Sequence, residues 1–218
     1  LEEVEASKGL QLLGQPGGFT SSYLQLIFNY REGITKDKAI REAVQYSIDK
    51  EAINKVVFNG VGDVSCNPLP TQHWAYVDFP CPERDPAKSK QILTDAGYTL
   101  PVTLDWVPMF VPFSKVLAQV AKQSLEEGGI NAEIRVLDTP SWFEQIHYGV
   151  ACEADGPACY GKLHKTFDVG DNWLGRTPDP DGMVTNVFKT NKGTLDSGFS
   201  GNNETRYYDP ETEKLFKA

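Results

Sequence analysis

Between Lys36 and Gly60 the positions Ile40, Ala43, Val44, Ser47 and Ile48 recur at helical spacing, while Arg41, Glu42, Gln45 and Tyr46 fall on the other side. That pattern predicts an amphipathic helix. Asp49 suits the N-cap of a second helix carrying Ala52, Ile53, Val56 and Val57 inward, with Asn59-Gly60 as its left-handed stop. Leu10 to Leu13 and Tyr23 to Phe28 read as strands separated by a turn at Gln15-Pro16-Gly17-Gly18. Asp85-Pro86 opens a third helix that Gly97 ends. Val102 to Val107 is a predicted strand. Phe113 to Glu127 is a predicted helix with Val116, Leu117, Val120, Ala121 and Leu125 inward. A strand from Ile130 to Leu137, a short helix from Thr139 to Tyr148 and a strand from Thr166 to Asn172 follow. Alternating strands and helices predict an α/β unit with parallel pairing.

Two stretches break the periodicity. Val61 to Arg84 is punctuated by Pro68, Pro70, Pro80 and Pro82 and holds His73, Trp74, Tyr76 and Phe79. A loop of this length serves function or packs down as a lid. Glu153 to Lys165 is a second Gly/Pro/Cys loop. Cys66 and Cys81 bracket the first loop, and Cys152 and Cys159 lie at or beside the second. Even-numbered loop cysteines without C-x-x-C or zinc spacing suit disulfides in an oxidising compartment, Cys66–Cys81 and Cys152–Cys159. Four unrelated thiols are the alternative. Closing a loop of about 15 residues stabilises by ~3 kcal/mol in the chain-entropy account.

Length and charge narrow the class. A chain of 218 residues can bury a core as one or two domains. Thirty acidic against 21 basic residues leave a net charge of −9, which disfavours nucleic acid or an anionic membrane as partner. No apolar run reaches the length of a membrane span. Leu1-Glu2-Glu3-Val4-Glu5 resembles neither a start nor a signal peptide, and Glu211 to Ala218 reads as a helix that stops short. The expectation is a domain, residues 1–218, cut from something larger.

Catalytic patterns fail on inspection. A G-x-S-x-G elbow around Ser200 needs Gly where Asn202 stands. His73, His147 and His164 are scattered, and Glu144 with His147 is a solvated helix face. An EF-hand over Asp179, Asp181 and Gly182 fails because Thr177 and Phe188 occupy ligand positions. Asn203-Glu204-Thr205 fits a glycosylation sequon, taken as chance. Neither enzyme chemistry, a metal site nor a cofactor is expected. What remains is a recognition surface: aromatic area with a few fixed polar groups. Three loops would supply it: one with Trp74 and Tyr76, one with Met109 and Phe110 after a strand end, and one from Trp173 through Gly175 and Arg176 to Asp179. The bland alternative makes Trp173 and Met109 core residues.

Four blocks carry a family resemblance. Asp37 to Gly60 resembles the "R-x-A-[I/V]-x-Y-[A/S]-I-D-[K/R]-x-x-I" block of family 5 solute-binding proteins of ABC importers, the dipeptide/oligopeptide group. DPAKSKQILTDAGY from Asp85 resembles their "D-P-x-K-A-x-x-L-L-x-x-A-G-Y" block. Trp173 to Gly182 resembles their "W-x-G-R-x-D-P-D" loop, and Arg206 to Leu215 their following helix start. The resemblance implies one α/β lobe of a two-lobe periplasmic-binding-protein-like fold (type II, cluster C), with a ligand in the cleft between lobes. Implied partners are a small solute or peptide, the missing first lobe and ABC permease subunits. The implied location is the periplasm or cell exterior, without membrane insertion.

The sequence departs from the peptide binders it resembles. Where they hold a peptide's ammonium with an Asp three residues after the loop Trp, this chain has Arg176. The loop at Met109 to Val111 also lacks the basic residue that holds a carboxylate in the dipeptide branch. The ligand class therefore stays open among oligosaccharide, opine-like compound and peptide. A nickel-type chelate carrier or, further off, an enzyme domain are the alternatives. Counting thiols after denaturation without reductant tests the cysteine reading. The expected count is zero, and four titratable thiols contradict it.

Overall fold

The computed structural model describes residues 6–7, 9, 22–30, 32–67, 69, 73–148, 167–175, 179–181, 205, 207 and 209–215. The predicted strand at Leu10 to Leu13, the second cysteine loop and Arg176 lie outside these residues. Strand β1 (Ser22–Phe28) leads through a 3-10 turn (Ile34–Lys36) to helices α1 (Lys38–Ser47) and α2 (Lys50–Phe58). Helix α3 (Pro86–Asp95), strand β2 (Val102–Val107), helix α4 (Pro112–Glu127) and strand β3 (Ile130–Ile134) follow. Then come a short α5 (Thr139–Trp142) widening into a π-helical stretch (Phe143–Tyr148), strand β4 (Val169–Gly175) and α6 (Pro210–Leu215).

Helix starts follow their caps. Asp37, Asp49, Asp85 and Asp138 each accept a backbone N–H in the first turn, at 2.8–2.9 Å. Asn59, at φ 53°, and Gly97, at φ 86°, close α2 and α3 as the sequence predicts. The α1–α2 corner sits against the end of α4. Ser47 Oγ donates to Ser124 O at 2.9 Å, and Ser124 Oγ accepts from Asp49 N at 3.1 Å. Gly128 permits that approach, because a Cβ there would stand 2.1 Å from Ser47 Oγ.

The described strands form one sheet in the order β1-β4-β2-β3. β2 is parallel to both β3 and β4, joined to β3 through α4, whereas β1 runs antiparallel to β4. β2 ends at Val107, opposite Gly170, so β4 continues past it for five residues paired only with β1. One face buries Val102, Leu104, Trp106, Ile130, Ala132, Val169 and Phe28 under the helices. The other face is covered at one end by Trp142, Ile146 and Phe167 over Ile27 and Val107.

The predicted stripe on α1 is buried at every position. Two stripes shift. Val56 and Val116 are exposed, and α4 instead buries Ser114, Leu117, Ala118, Ala121, Ser124 and Leu125, whose small members fit the close helix corner. β3 stops at Ile134. Arg135 N still donates to Trp106 O at 2.8 Å, but its side chain turns to pair with Asp105 at 2.6 Å and the chain bends toward the Asp138 cap. β4 starts at Val169 rather than Thr166 because Asp168 is a junction.

Asp168 is buried between three elements. Its carboxylate accepts from Ile34 N and Asp105 N, both at 2.9 Å, and its carbonyl accepts from Asn29 N and Thr35 Oγ1. Gly33 passes over it at φ 70° and ψ −170°, a conformation essentially confined to glycine, and a Cβ there would lie 2.0 Å from Asp168 Oδ1. Burial pushes the Asp168 carboxyl above its ordinary value of 3.8; the two backbone donors pull it back, and the nearby Asp105 carboxylate adds to the rise. A raised carboxyl means the fold binds this proton more tightly than the unfolded chain does. Its contribution is therefore full below the unfolded value and is lost as pH rises through the folded one. Unfolding titrations across pH should show the stability of wild type relative to Asp168→Asn falling over that window and level above it. A difference that grows with pH contradicts this placement.

Candidate functional site

Beyond the end of β2 the chain crosses from sheet to helix at Pro108 to Val111, and β4 passes alongside. Asp171 of β4 points to the helix-covered face and is fully buried. Its Oδ1 accepts from Trp106 Nε1 and from Met109 N, each at 3.3 Å, and its Oδ2 accepts from Ser114 Oγ at 2.5 Å. One carboxylate thus ties the end of β2, the connecting loop and the first turn of α4 to β4. No side chain caps α4 at Val111; Asp171 meets its first turn through the Ser114 hydroxyl alone.

Two residues further, Trp173 lies on the same face across from Leu24 and is 41% exposed. Its ring meets Phe113, at the start of α4, at 5.4 Å and Phe58, at the end of α2, at 6.4 Å; Phe58 and Phe113 are 6.1 Å apart. Three elements therefore converge on one aromatic surface at the C-terminal edge of the parallel strands, where open α/β sheets place ligands.

Met109 and Phe110 turn to the opposite face. Both are half-buried against the second cluster, where Phe110, Trp142 and Phe143 form a box with centroids 5.4–5.6 Å apart. Trp142 is 1% exposed, and its indole N–H has no hydrogen-bond partner among the described residues. Trp74 stacks on the buried His73, and the Tyr76 hydroxyl donates to Asp78 at 3.3 Å. Gly175 closes β4 opposite Ser22, and the exposed Asp179 accepts from Asp181 N at 2.9 Å. Cys66 and Cys81 are bonded.

Of the predicted site residues, then, Trp173 anchors the aromatic surface, and Met109 and Phe110 support its loop from behind. Trp74 meets His73, and Tyr76 meets Asp78, within their own loop. Arg176 lies outside the described residues, one step past Gly175. Sequence reading missed Phe58, Phe113 and Asp171. The first two were legible only as the ends of helices. Asp171 could have been flagged as an acid on the buried register of a strand, two residues after Val169.

The mixed α/β lobe shares its fold with solved periplasmic binding proteins. AppA from Bacillus subtilis, an oligopeptide-binding protein solved with a nonapeptide, superposes with a TM-score of 0.71 over 91% of this chain and 38% of its own, at 22% identity. NikA from Staphylococcus aureus, solved with Ni(L-His)2, gives 0.73 over 99% and 41%, at 16% identity. At these identities the likeness shows the fold. The profile described as "Bacterial extracellular solute-binding proteins, family 5 Middle" matches residues 1–194, and the chain belongs to that family. A dipeptide-binding protein of Pseudomonas aeruginosa is 25% identical over 227 residues, covering 100% of this chain and 38% of the relative. The chain spans a little over a third of the length of such relatives.

Replacing Asp171 tests the anchoring. Asp171→Ala leaves three donors without this acceptor and should cost ~2–5 kcal/mol in urea unfolding, with Asp171→Asn costing roughly half as much. An alanine variant as stable as wild type contradicts the assignment.

Proposed function

We propose that this chain is the ligand-binding α/β lobe of a receptor for an ABC importer. The receptor captures a small polar solute, such as an oligosaccharide, an opine-like compound or a peptide, and delivers it to the permease from the periplasm or cell exterior. The observation that carries this reading is the half-exposed Trp173, held against Phe58 and Phe113 at the C-terminal edge of the parallel strands, in a chain of family 5. Trp173 offers a flat apolar face for a sugar ring or side chain, while Asp171 fixes the loop beside it. No helix among the described residues is long and apolar enough to cross a membrane. Closure of a second lobe over the solute would then bias an open–closed equilibrium toward the form the permease reads.

Arg176 sets the ligand chemistry in this reading. Its guanidinium would leave the end of β4 three residues after Trp173, positioned to pair with a carboxylate or phosphate through two parallel hydrogen bonds or to stack on a ring. A cation there disfavours a free-amine peptide in a desolvated cleft. Intramolecular pairing with Asp179 or Asp181 is the competing role. A metal-chelate cargo rests on fold likeness alone, since no cluster of three potential metal ligands occurs among the described residues.

Thermal-shift screening of the full-length protein against peptides, sugars and metal chelates identifies the class, and calorimetry then tests the residues. Arg176→Ala should weaken binding by ~1.5–3 kcal/mol, as for hydrogen bonds to charged groups, with the ligand-free melting temperature nearly unchanged. Unchanged affinity with a lower melting temperature assigns Arg176 to its own loop instead.

A further inference from the structure

The disulfide loop is built differently from the rest of the lobe. The chain leaves α2 at the Trp173 edge but returns at the opposite edge. There Arg84 Nε donates to Ser47 O at 3.0 Å, Arg84 pairs with Glu127 at 2.6 Å, and Asp85 N donates to Tyr46 O at 2.7 Å. Helix α4 separates these edges by about 24 Å, at 1.5 Å per residue. Cys81 is three residues from Arg84, within about 11 Å of it, and the bond holds the Cys66 Cα 5.2 Å from that of Cys81. The neck of the loop therefore rises from the half of the lobe away from Trp173.

Within the ring, short-range bonds set the shape. Asn67 Nδ2 donates to Val77 O, Asn67 Oδ1 accepts from Leu69 N at 2.8 Å, and His73 accepts from Ala75 N and Tyr76 N. Leu69 and His73 are buried. Trp74, Val77 and Phe79 nevertheless stand 75%, 60% and 62% exposed. Between Val61 and Glu83 the charged residues are Asp63, Asp78 and Glu83, with no lysine or arginine. A preorganised loop with three large apolar side chains and only negative charge has the character of a contact surface.

We propose that the loop closed by Cys66–Cys81 docks on a protein partner whose contact face is apolar and rimmed with lysine or arginine. On the receptor reading above, from which this inference follows, that face belongs to the membrane-embedded subunits of the importer. Charge complementarity selects this occupant. A second copy would bring like-charged loops together within a chain of net charge −9, and anionic lipid headgroups would repel the same acids.

The test uses the full-length protein and the importer's membrane subunits in lipid nanodiscs, with empty nanodiscs of the same lipid as a second arm. Val77→Ser/Phe79→Ser and Asp63→Lys/Glu83→Lys alter apolar area and charge separately, on side chains that face solvent. Each pair should weaken nanodisc binding by roughly tenfold or more, with solute affinity and melting temperature unchanged, and wild-type binding should weaken as salt rises. Wild-type binding that neither pair alters overturns the docking role alone. Loss of solute affinity with nanodisc binding intact assigns the loop to the ligand surface and also overturns it. Equal binding to empty nanodiscs makes the partner a membrane. A wild type that fails to bind the subunits at all removes the receptor reading together with the docking role.

Discussion

Strand β4 is held at its start by two buried carboxylates, and the arrangement of the lobe depends on that. At its start Asp168 binds the backbone of Ile34 and of Asp105; two residues into the strand Asp171 binds Trp106, Met109 and Ser114. Each acid joins β4 to elements distant in sequence. Buried carboxylates are costly unless their oxygens are satisfied, so each fixes its neighbours' backbone at the same time as it is tolerated. Together they place β4 between an antiparallel and a parallel neighbour without a slip in register.

That placement generates the site. Because β4 outruns β2, Trp173 stands beyond the parallel strands and meets helix ends rather than another strand. The α1–α2 corner delivers Phe58 to the same place, since Ser47, Ser124 and Gly128 set the distance between that corner and the end of α4. On the proposed receptor reading, a surface assembled from a helix C-terminus, a helix N-terminus and a strand would tolerate change in the solute it meets, because its scaffold bonds lie behind it. The same division separates the Cys66–Cys81 loop, whose internal bonds and covalent ring hold its own shape.

Local signals were legible in the sequence. The α1 stripe, the Asp49 and Asp85 caps, the Asn59-Gly60 and Gly97 stops and the bounds of β2 all depend on residues within a turn or two of each other. The inward faces of α2 and α4 were less legible. Val56 and Val116 satisfy helical spacing, but small residues at Ala118 and Ser124 win where helices approach closely. Strand order was not legible, because pairing β4 between β1 and β2 depends on contacts across more than 60 residues. Asp171 was hidden for the same reason: its three donors come from β2, a loop and α4. The family blocks identified Trp173, whereas Phe58 and Phe113 became neighbours of it only through the fold.

The central claim is that solute meets this lobe at the Trp173 edge. A crystal structure of the full-length protein with its solute bound measures this directly. The expected result is solute atoms in van der Waals contact with the Trp173 ring, about 4 Å away, beside the loop that Asp171 anchors. Solute bound elsewhere, with the Phe58–Phe113–Trp173 surface open to water, would contradict the account.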